Sequence, residues 1–169
     1  MEGLELERMK LDHQLCFPLY AAARYVTGLY TPWLKPLGLT YTQYIVFLVL
    51  WERDHLTVSE IGERLMLDNG TLSPLLKKME QAGYIRRLRC RKDDRVVEIA
   101  LTEEGLALRE KAKDVPGHVA GCVNLGPEKA RALYMLLYEL LEHQKEEKRA
   151  KDCKEERSKT EGNEHEDGL

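Results

Sequence analysis

Apolar residues recur at intervals of three and four positions along much of the chain, which is the period of an amphipathic helix. This pattern predicts a first helix over residues 4–29, with a kink or break near Cys16 because Pro18 cannot donate a backbone hydrogen bond. Residues 40–43 have the capping-box pattern, and they open a helix that is almost entirely apolar through Trp51. We expect this second helix at the centre of the core.

Two short helices joined by a tight connection follow, and together they predict a helix-turn-helix. Residues 57–60 form another capping box, which opens a helix over residues 58–65. The next helix is predicted over residues 70–82, with Asp68 or Asn69 as its N-cap.

Alternating residues then predict a β-hairpin, with strands over residues 84–90 and 96–101 and a polar turn between them. Cys90 shares a strand face with Leu88 and is expected in the core. The returning strand has three apolar residues on one face, Val97, Ile99 and Leu101.

Two more helical segments precede a charged tail. Thr102 caps a helix that is predicted to run to about residue 115, where Pro116 interrupts it, and Pro127 begins a final helix. Residues 145–169 are almost all charged or polar and cannot offset their ordering entropy, so we expect a largely disordered tail. The final helix has one apolar stripe, formed by Leu133, Leu136, Leu137, Leu140 and Leu141.

The distribution of charge changes this picture in one region. The whole chain has a net charge of −3, but residues 64–95 contain nine basic and four acidic side chains. This positive block coincides with the second helix of the pair and the hairpin, which are the elements that contact DNA in winged helix-turn-helix proteins. A solvated charged face is the alternative interpretation, and the coincidence of the three features favours DNA binding.

Several classes of function have no support in the sequence. The four cysteines are widely spaced, and neither a zinc pattern, a glycine-rich phosphate loop nor a G-x-S-x-G motif occurs. Zinc sites, nucleotide sites and serine hydrolases therefore have no support, and we expect no metal and no cofactor. The longest apolar run has eight residues, and the acidic start lacks the pattern of a signal peptide. A cytoplasmic protein without a membrane partner is therefore expected.

Side-chain chemistry predicts the DNA contacts. Short polar side chains at the start of the second helix suit base edges or phosphates, and the two lysines after them suit phosphates. Arg95 at the hairpin tip suits a narrow minor groove, whereas Asp93 is expected to pair with an arginine and fix the shape of the tip. The predicted DNA contacts are Asn69, Thr71, Ser73, Lys77, Lys78, Arg87 and Arg95.

One helix-turn-helix makes too few contacts for tight and specific binding, so we expect a homodimer on a pseudo-palindromic operator. Residues 1–144 are predicted to form one winged-helix domain, mainly α with a small β-hairpin, in which residues 57–101 bind DNA. The helices of residues 4–30 and 102–144 are expected to dimerise, with packing inside one chain as the alternative.

The order of these elements, with residues 93–95 leading to residues 99–102 at the wing, resembles the MarR family of dimeric bacterial regulators. The resemblance spans about residues 5–145. Residues 11–20 and 67–74 resemble a narrower branch of that family, OhrR, the repressors that sense organic hydroperoxides.

This resemblance implies roles for two cysteines and two tyrosines. Chemistry alone leaves Cys16 open between a reactive thiol and an inert buried one, and the resemblance favours a peroxide sensor. It also implies that Tyr30 and Tyr41 hydrogen-bond the Cys16 thiolate, and that Cys122 resolves the oxidised sensor across the dimer. Cys122 is expected in a mobile loop beside Gly121.

Three functions remain open at this point. The first is a repressor of a peroxide-detoxifying gene, which an organic hydroperoxide releases from operator DNA through a disulfide between Cys16 and Cys122. The second is a MarR-like repressor that a small aromatic ligand in the dimer cleft releases. The third is a thiol peroxidase that uses the same two cysteines. The number of predicted base and phosphate contacts argues against this third function, so we expect a regulator that is not an enzyme.

Overall fold

The computed structural model describes residues 6–90 and 93–163, and the side chains of residues 89, 90, 93–95, 147–149 and 151–163 lie outside that description. The chain divides into two units, Met1–Val123 and Asn124–Leu169. The first unit contains helices α1 (Cys16–Gly28), α2 (Thr31–Leu34), α3 (Tyr41–Glu52), α4 (Val58–Leu65), α5 (Asn69–Gln81), α6 (Glu103–Ala112) and α7 (Val115–Cys122), and strands β1 (Leu56–Thr57), β2 (Ile85–Cys90) and β3 (Asp93–Leu101). The second unit contains α8 (Pro127–Asn163).

Helix α3 lies at the centre of the core, as its apolar sequence predicts. The capping box is formed, because the Thr40 hydroxyl accepts from the Gln43 backbone and the Gln43 side chain accepts from the Thr40 backbone. The cap gives hydrogen-bond partners to backbone N–H groups at the start of the helix. A helix that is apolar on nearly every side is typical of a buried position. Its buried residues are Tyr44, Val46, Phe47, Val49 and Leu50.

The predicted helix-turn-helix is confirmed. The capping box between Thr57 and Glu60 is formed at the start of α4, and Met66 ends that helix in the left-handed conformation, with φ of 54°. Asp68 is the N-cap of α5, and the helix begins one residue earlier than predicted. The connection is tight because Gly62 has no side chain: a Cβ there would lie 2.9 Å from the Leu67 carbonyl oxygen.

The predicted hairpin is part of a three-stranded antiparallel sheet with the order β1-β3-β2. The sequence pattern misses β1, which has only two residues, and places the start of β3 too late, since that strand begins at Asp93. The winged-helix fold, mainly α with a small sheet, is confirmed.

The prediction that Leu88 faces the core is wrong. Ile85 is 1% exposed and Leu88 is 38% exposed, so Leu88 is not on the side of β2 that buries Ile85. The register agrees, since Ile85 pairs with Leu101 and both are buried. The Cys90 side chain lies outside the described residues, so its predicted burial stays a prediction.

The first predicted helix is broken. Lys10 and Gln14 have extended backbone conformations on either side of a short 3-10 turn, and α1 begins only at Cys16. Pro18 is therefore in the first turn of α1, where backbone N–H groups have no acceptor within the helix, so a proline is tolerated there. The break near Cys16 is confirmed, but one continuous helix over residues 4–29 is not formed.

Three predicted boundaries differ near the end of the chain. Helix α6 ends at Ala112, before Pro116, which lies in the first turn of a separate helix, α7. Cys122 is the last residue of α7, so the prediction that it lies in a loop is wrong. The final helix α8 continues to Asn163 rather than giving way to a disordered tail near Lys145.

No helix among the described residues is both long enough and apolar enough to cross a membrane.

Candidate functional site

Helix α5 presents the predicted DNA contacts on its exposed surface. Its buried residues Leu72, Leu76 and Met79 recur at three- and four-residue spacing and fix the helix against the core. The polar residues that sequence chemistry assigned to DNA are all exposed: Asn69, Thr71, Ser73, Lys77 and Lys78.

Asp68, the N-cap of α5, hydrogen-bonds to Thr71, which is one of the predicted DNA contacts. Its carboxylate accepts from the Thr71 backbone N–H at 2.8 Å and from the Thr71 hydroxyl at 2.9 Å. These two bonds, the backbone one first, hold the pKa of Asp68 below its usual value. The Thr71 hydroxyl proton is therefore used within the cap, and only its lone pairs and methyl group can face a ligand.

Arg87 differs from the other predicted contacts because its guanidinium group contacts α5. Its Nη2 donates to the Ser73 carbonyl oxygen at 3.0 Å, and its Nε lies 3.5 Å from the Glu80 carboxylate. The backbone N–H of Arg87 also donates to Glu80, at 3.2 Å. Sequence reasoning missed Glu80, although an acidic residue inside a basic block was a signal that could have drawn attention to it.

The side chains of Asp93 and Arg95 at the wing lie outside the described residues. Their predicted roles, fixing the shape of the tip and entering the minor groove, therefore stay predictions.

The two cysteines assigned to sensing lie on different helices, one at an N-terminus and the other at a C-terminus. Cys16 is the first residue of α1 and Cys122 is the last residue of α7, and both are exposed free thiols. Within the single chain, Cys16 is therefore not a buried thiol.

The two tyrosines assigned to the sensor lie together. The rings of Tyr30 and Tyr41 are 4.9 Å apart between centroids, and Tyr44 is 5.7 Å from Tyr30. Burial, and to a smaller extent the neighbouring Tyr30, raise the pKa of Tyr41, so its hydroxyl stays protonated and able to donate at neutral pH. Within the described part of a single chain, neither Tyr30 nor Tyr41 hydrogen-bonds to Cys16.

An aromatic pair next to this region was not predicted. Trp33 and His118 stack with centroids 3.9 Å apart and planes 4° from parallel. His118 lies one turn before Cys122 on α7, and Trp33 lies on α2. The contact joins residues far apart in sequence, so no local pattern could have indicated it.

The comparisons with known proteins agree with this architecture. A family described as transcriptional regulator SarA/Rot matches residues 28–112. The organic hydroperoxide resistance transcriptional regulator of Bacillus subtilis is 50% identical over 143 residues, which are 83% of this chain and 97% of that protein. The chain belongs to the MarR family of transcriptional regulators. Like its family, this MarR-type protein is a DNA-binding regulator.

Two solved structures of a related regulator, AbfR of Staphylococcus epidermidis, extend the comparison. Reduced AbfR bound to DNA is 34% identical, with a TM-score of 0.66 over 83% of this chain and 98% of that chain. Disulfide-formed AbfR is 35% identical, with a TM-score of 0.55 over 83% of this chain and 99% of that chain.

Proposed function

We propose that this MarR-family regulator is a homodimeric repressor that organic hydroperoxides release from its operator. Oxidation of Cys16 is the sensing event, and a disulfide with Cys122 of the partner subunit is the switch. The observation that carries the proposal is the pair of exposed free thiols at two helix ends of one unit. The name of the Bacillus subtilis relative and the disulfide-formed state of AbfR support the same chemistry.

The proposed reaction has two steps. The Cys16 thiolate attacks the distal oxygen of the hydroperoxide, which gives a sulfenic acid on Cys16 and releases an alcohol after the alkoxide takes a proton. The Cys122 thiol then attacks the sulfenic sulfur, which forms the disulfide and releases water. The peroxide is the oxidant that both thiols require.

The tyrosine pair is proposed to donate to the sensor across the dimer. Cys16 is exposed in its own chain, and no hydrogen bond joins it there to Tyr30 or Tyr41 within the described residues. A protonated phenol such as Tyr41 stabilises a thiolate by donating to it, and it loses that ability when ionised. The apolar side chains that follow Cys16 on α1, Phe17 and Leu19, favour an organic peroxide over a small polar one.

The switch follows from the geometry of a disulfide. Two bonded sulfurs lie about 2 Å apart, with Cα atoms within about 7 Å, so α1 of one subunit and α7 of the other must approach. We propose that this movement changes the spacing of the two α5 helices. Both helices can then no longer enter successive major grooves at once, and the operator is released.

Operator binding by the reduced protein is the starting point of the test. Fluorescence anisotropy with a labelled operator is measured before and after one equivalent of tert-butyl hydroperoxide. Wild type is expected to dissociate and to give a band of twice the monomer mass on a non-reducing gel. The variant Cys16→Ser is expected to bind DNA but to stay bound after peroxide, and Cys122→Ser is expected to form no such band.

Cys153→Ser is the matched control, and it should respond like wild type. Release of Cys16→Ser by the same equivalent of peroxide would contradict the proposal and favour the alternative of a ligand-released regulator. Repeated consumption of peroxide by wild type with reductant present would favour the thiol peroxidase instead.

A further inference from the structure

Arg87 joins the wing to the helix that carries most of the predicted DNA contacts. Its guanidinium group bridges two groups of α5, the Ser73 carbonyl oxygen at 3.0 Å and the Glu80 carboxylate at 3.5 Å. Its backbone N–H adds a third bond, to Glu80 at 3.2 Å. Strand and helix are therefore joined through both the side chain and the main chain of one residue.

The chain reverses between the two elements, which explains how one residue reaches both groups. Gly83 has a positive φ of 78°, and β2 runs back along α5 after this turn. Ser73 and Glu80 are about 10 Å apart along the helix axis at 1.5 Å per residue. A helical carbonyl points toward the C-terminus and a helical side chain leans toward the N-terminus, so the two acceptors converge on Arg87.

The position of β2 in the sheet explains the main-chain bond. The strand order is β1-β3-β2, so among the described residues β2 is an edge strand, and one of its sides has no strand partner there. An unpaired edge N–H needs an acceptor, and the Glu80 carboxylate supplies it for Arg87. Glu80 thereby fixes the strand directly as well as through the guanidinium group.

We propose that Arg87 is a positioning residue for DNA binding rather than a phosphate contact. Together with Glu80 it holds β2 at a fixed angle to α5. The hairpin of β2 and β3, which is the wing, and helix α5 then reach the DNA as one rigid unit. The arginine side chain is 31% exposed and the glutamate side chain 40%, so solvent reaches the link between them. The inference rests on the DNA-binding function alone and does not depend on the redox switch.

Glu80 allows a test in which the two interpretations have opposite signs. A carboxylate near DNA repels phosphate, so its neutralisation tightens binding if only charge matters. If Glu80 instead orients Arg87, Glu80→Gln weakens operator binding although it removes a negative charge. The expected loss is about threefold to tenfold in operator affinity, the size that follows when a partly exposed charged hydrogen bond is lost.

Arg87→Lys completes the test because lysine keeps the charge but has no guanidinium fork. We expect it to weaken operator binding as Arg87→Gln does, with the dependence of affinity on salt unchanged in both variants. The matched control is Lys77→Gln. For this variant we expect the slope of log affinity against log salt concentration to fall by about one, and the affinities for operator and random DNA to fall equally. Anisotropy titrations at several salt concentrations measure all four variants.

Amide hydrogen exchange provides a readout that does not require DNA. The Arg87 N–H is expected to exchange faster in Glu80→Gln than in wild type, because its acceptor is weakened, while the melting temperature stays similar. Arg87→Lys binding as tightly as wild type, with Arg87→Gln losing about one unit of salt slope, would overturn the inference. A wild-type protein that does not bind operator would instead contradict the proposed function.

Discussion

Gly105 lies at the start of α6, where that helix approaches the chain just before β2. A Cβ at this position would lie 2.2 Å from the Tyr84 carbonyl oxygen, which is a backbone atom that cannot move freely. The same residue donates its N–H to Thr102 Oγ1 at 3.1 Å and accepts from Trp51 Nε1 at 3.0 Å. Close approach and two hydrogen bonds therefore coincide at one glycine.

Gly105→Ala is expected to destabilise the protein by about 2–3 kcal/mol, because the added methyl group forces a backbone shift in a packed region. Urea unfolding followed by circular dichroism measures the change. Gly117→Ala is the matched control, since no atom lies within 4 Å of its added Cβ and its effect should stay within about 0.5 kcal/mol. Equal stability of the two variants would show that α6 moves away from Tyr84 without cost.

Residue types could be assigned from the sequence more securely than residue partners. The spacing and polarity of α5 correctly predicted which of its side chains are exposed. Arg87 was assigned to DNA by its charge, but its contacts with Ser73 and Glu80 depend on the path of the chain after Gly83. The same holds for the stack of Trp33 on His118. Such contacts depend on the tertiary fold, and local periodicity contains no information about them.

At the scale of elements, the acidic caps make the helix-turn-helix sensitive to acid. The Thr57 backbone N–H first, and then its hydroxyl, hold the pKa of Glu60 below its usual value, and Thr71 does the same for Asp68. A carboxyl group with a lowered folded-state pKa stabilises the fold above its unfolded pKa, near 4. That contribution is lost as the pH falls through the lower, folded-state value.

Asp68→Asn is expected to reduce the loss of melting temperature between about pH 5 and pH 3. Asparagine is as good an N-cap as aspartate, but it does not titrate. Thermal unfolding at a series of pH values measures the slope. The control is Asp114→Asn, because Asp114 precedes α7 without a side-chain cap bond and should leave the slope near that of wild type. If the melting temperature of Asp68→Asn depended on pH as that of wild type does, titration of Asp68 would not contribute to the acid sensitivity of the fold.

Elements with local signals were predicted, and elements without them were not. The caps of α3, α4 and α6 involve residues three positions apart, so their boundaries can be read from the sequence. Strand β1 has two residues and exists only because β3 pairs with it. The end of α6 at Ala112 and the separate helix α7 depend on burial of Val115 and Val119, which a proline-based rule could not show.

At the scale of the whole molecule, each unit has apolar side chains that its own packing does not cover. In the first unit they include Leu15 and Tyr20, beside or within α1, and Leu15 is 76% exposed. In the second unit they form the predicted stripe of α8, where Leu136 is 64% exposed. A contiguous exposed apolar face is typical of an interaction surface. We expect the proposed homodimer to bury both faces, as the predicted dimerisation helices would require.

Leu136→Glu is therefore expected to weaken the dimer, because it places an unpaired charge in a buried apolar interface. Sedimentation equilibrium should show monomer at concentrations where wild type is dimeric. Operator affinity should fall with it, and more protein should restore binding, since one helix-turn-helix alone binds weakly. Leu48→Glu is the matched control: this leucine is also exposed, at 37%, but it lies on α3, outside the helices that are predicted to dimerise. If Leu136→Glu stayed dimeric at the same concentrations, the stripe would not be the dimer surface, and the exposed residues of α1 would have to supply it.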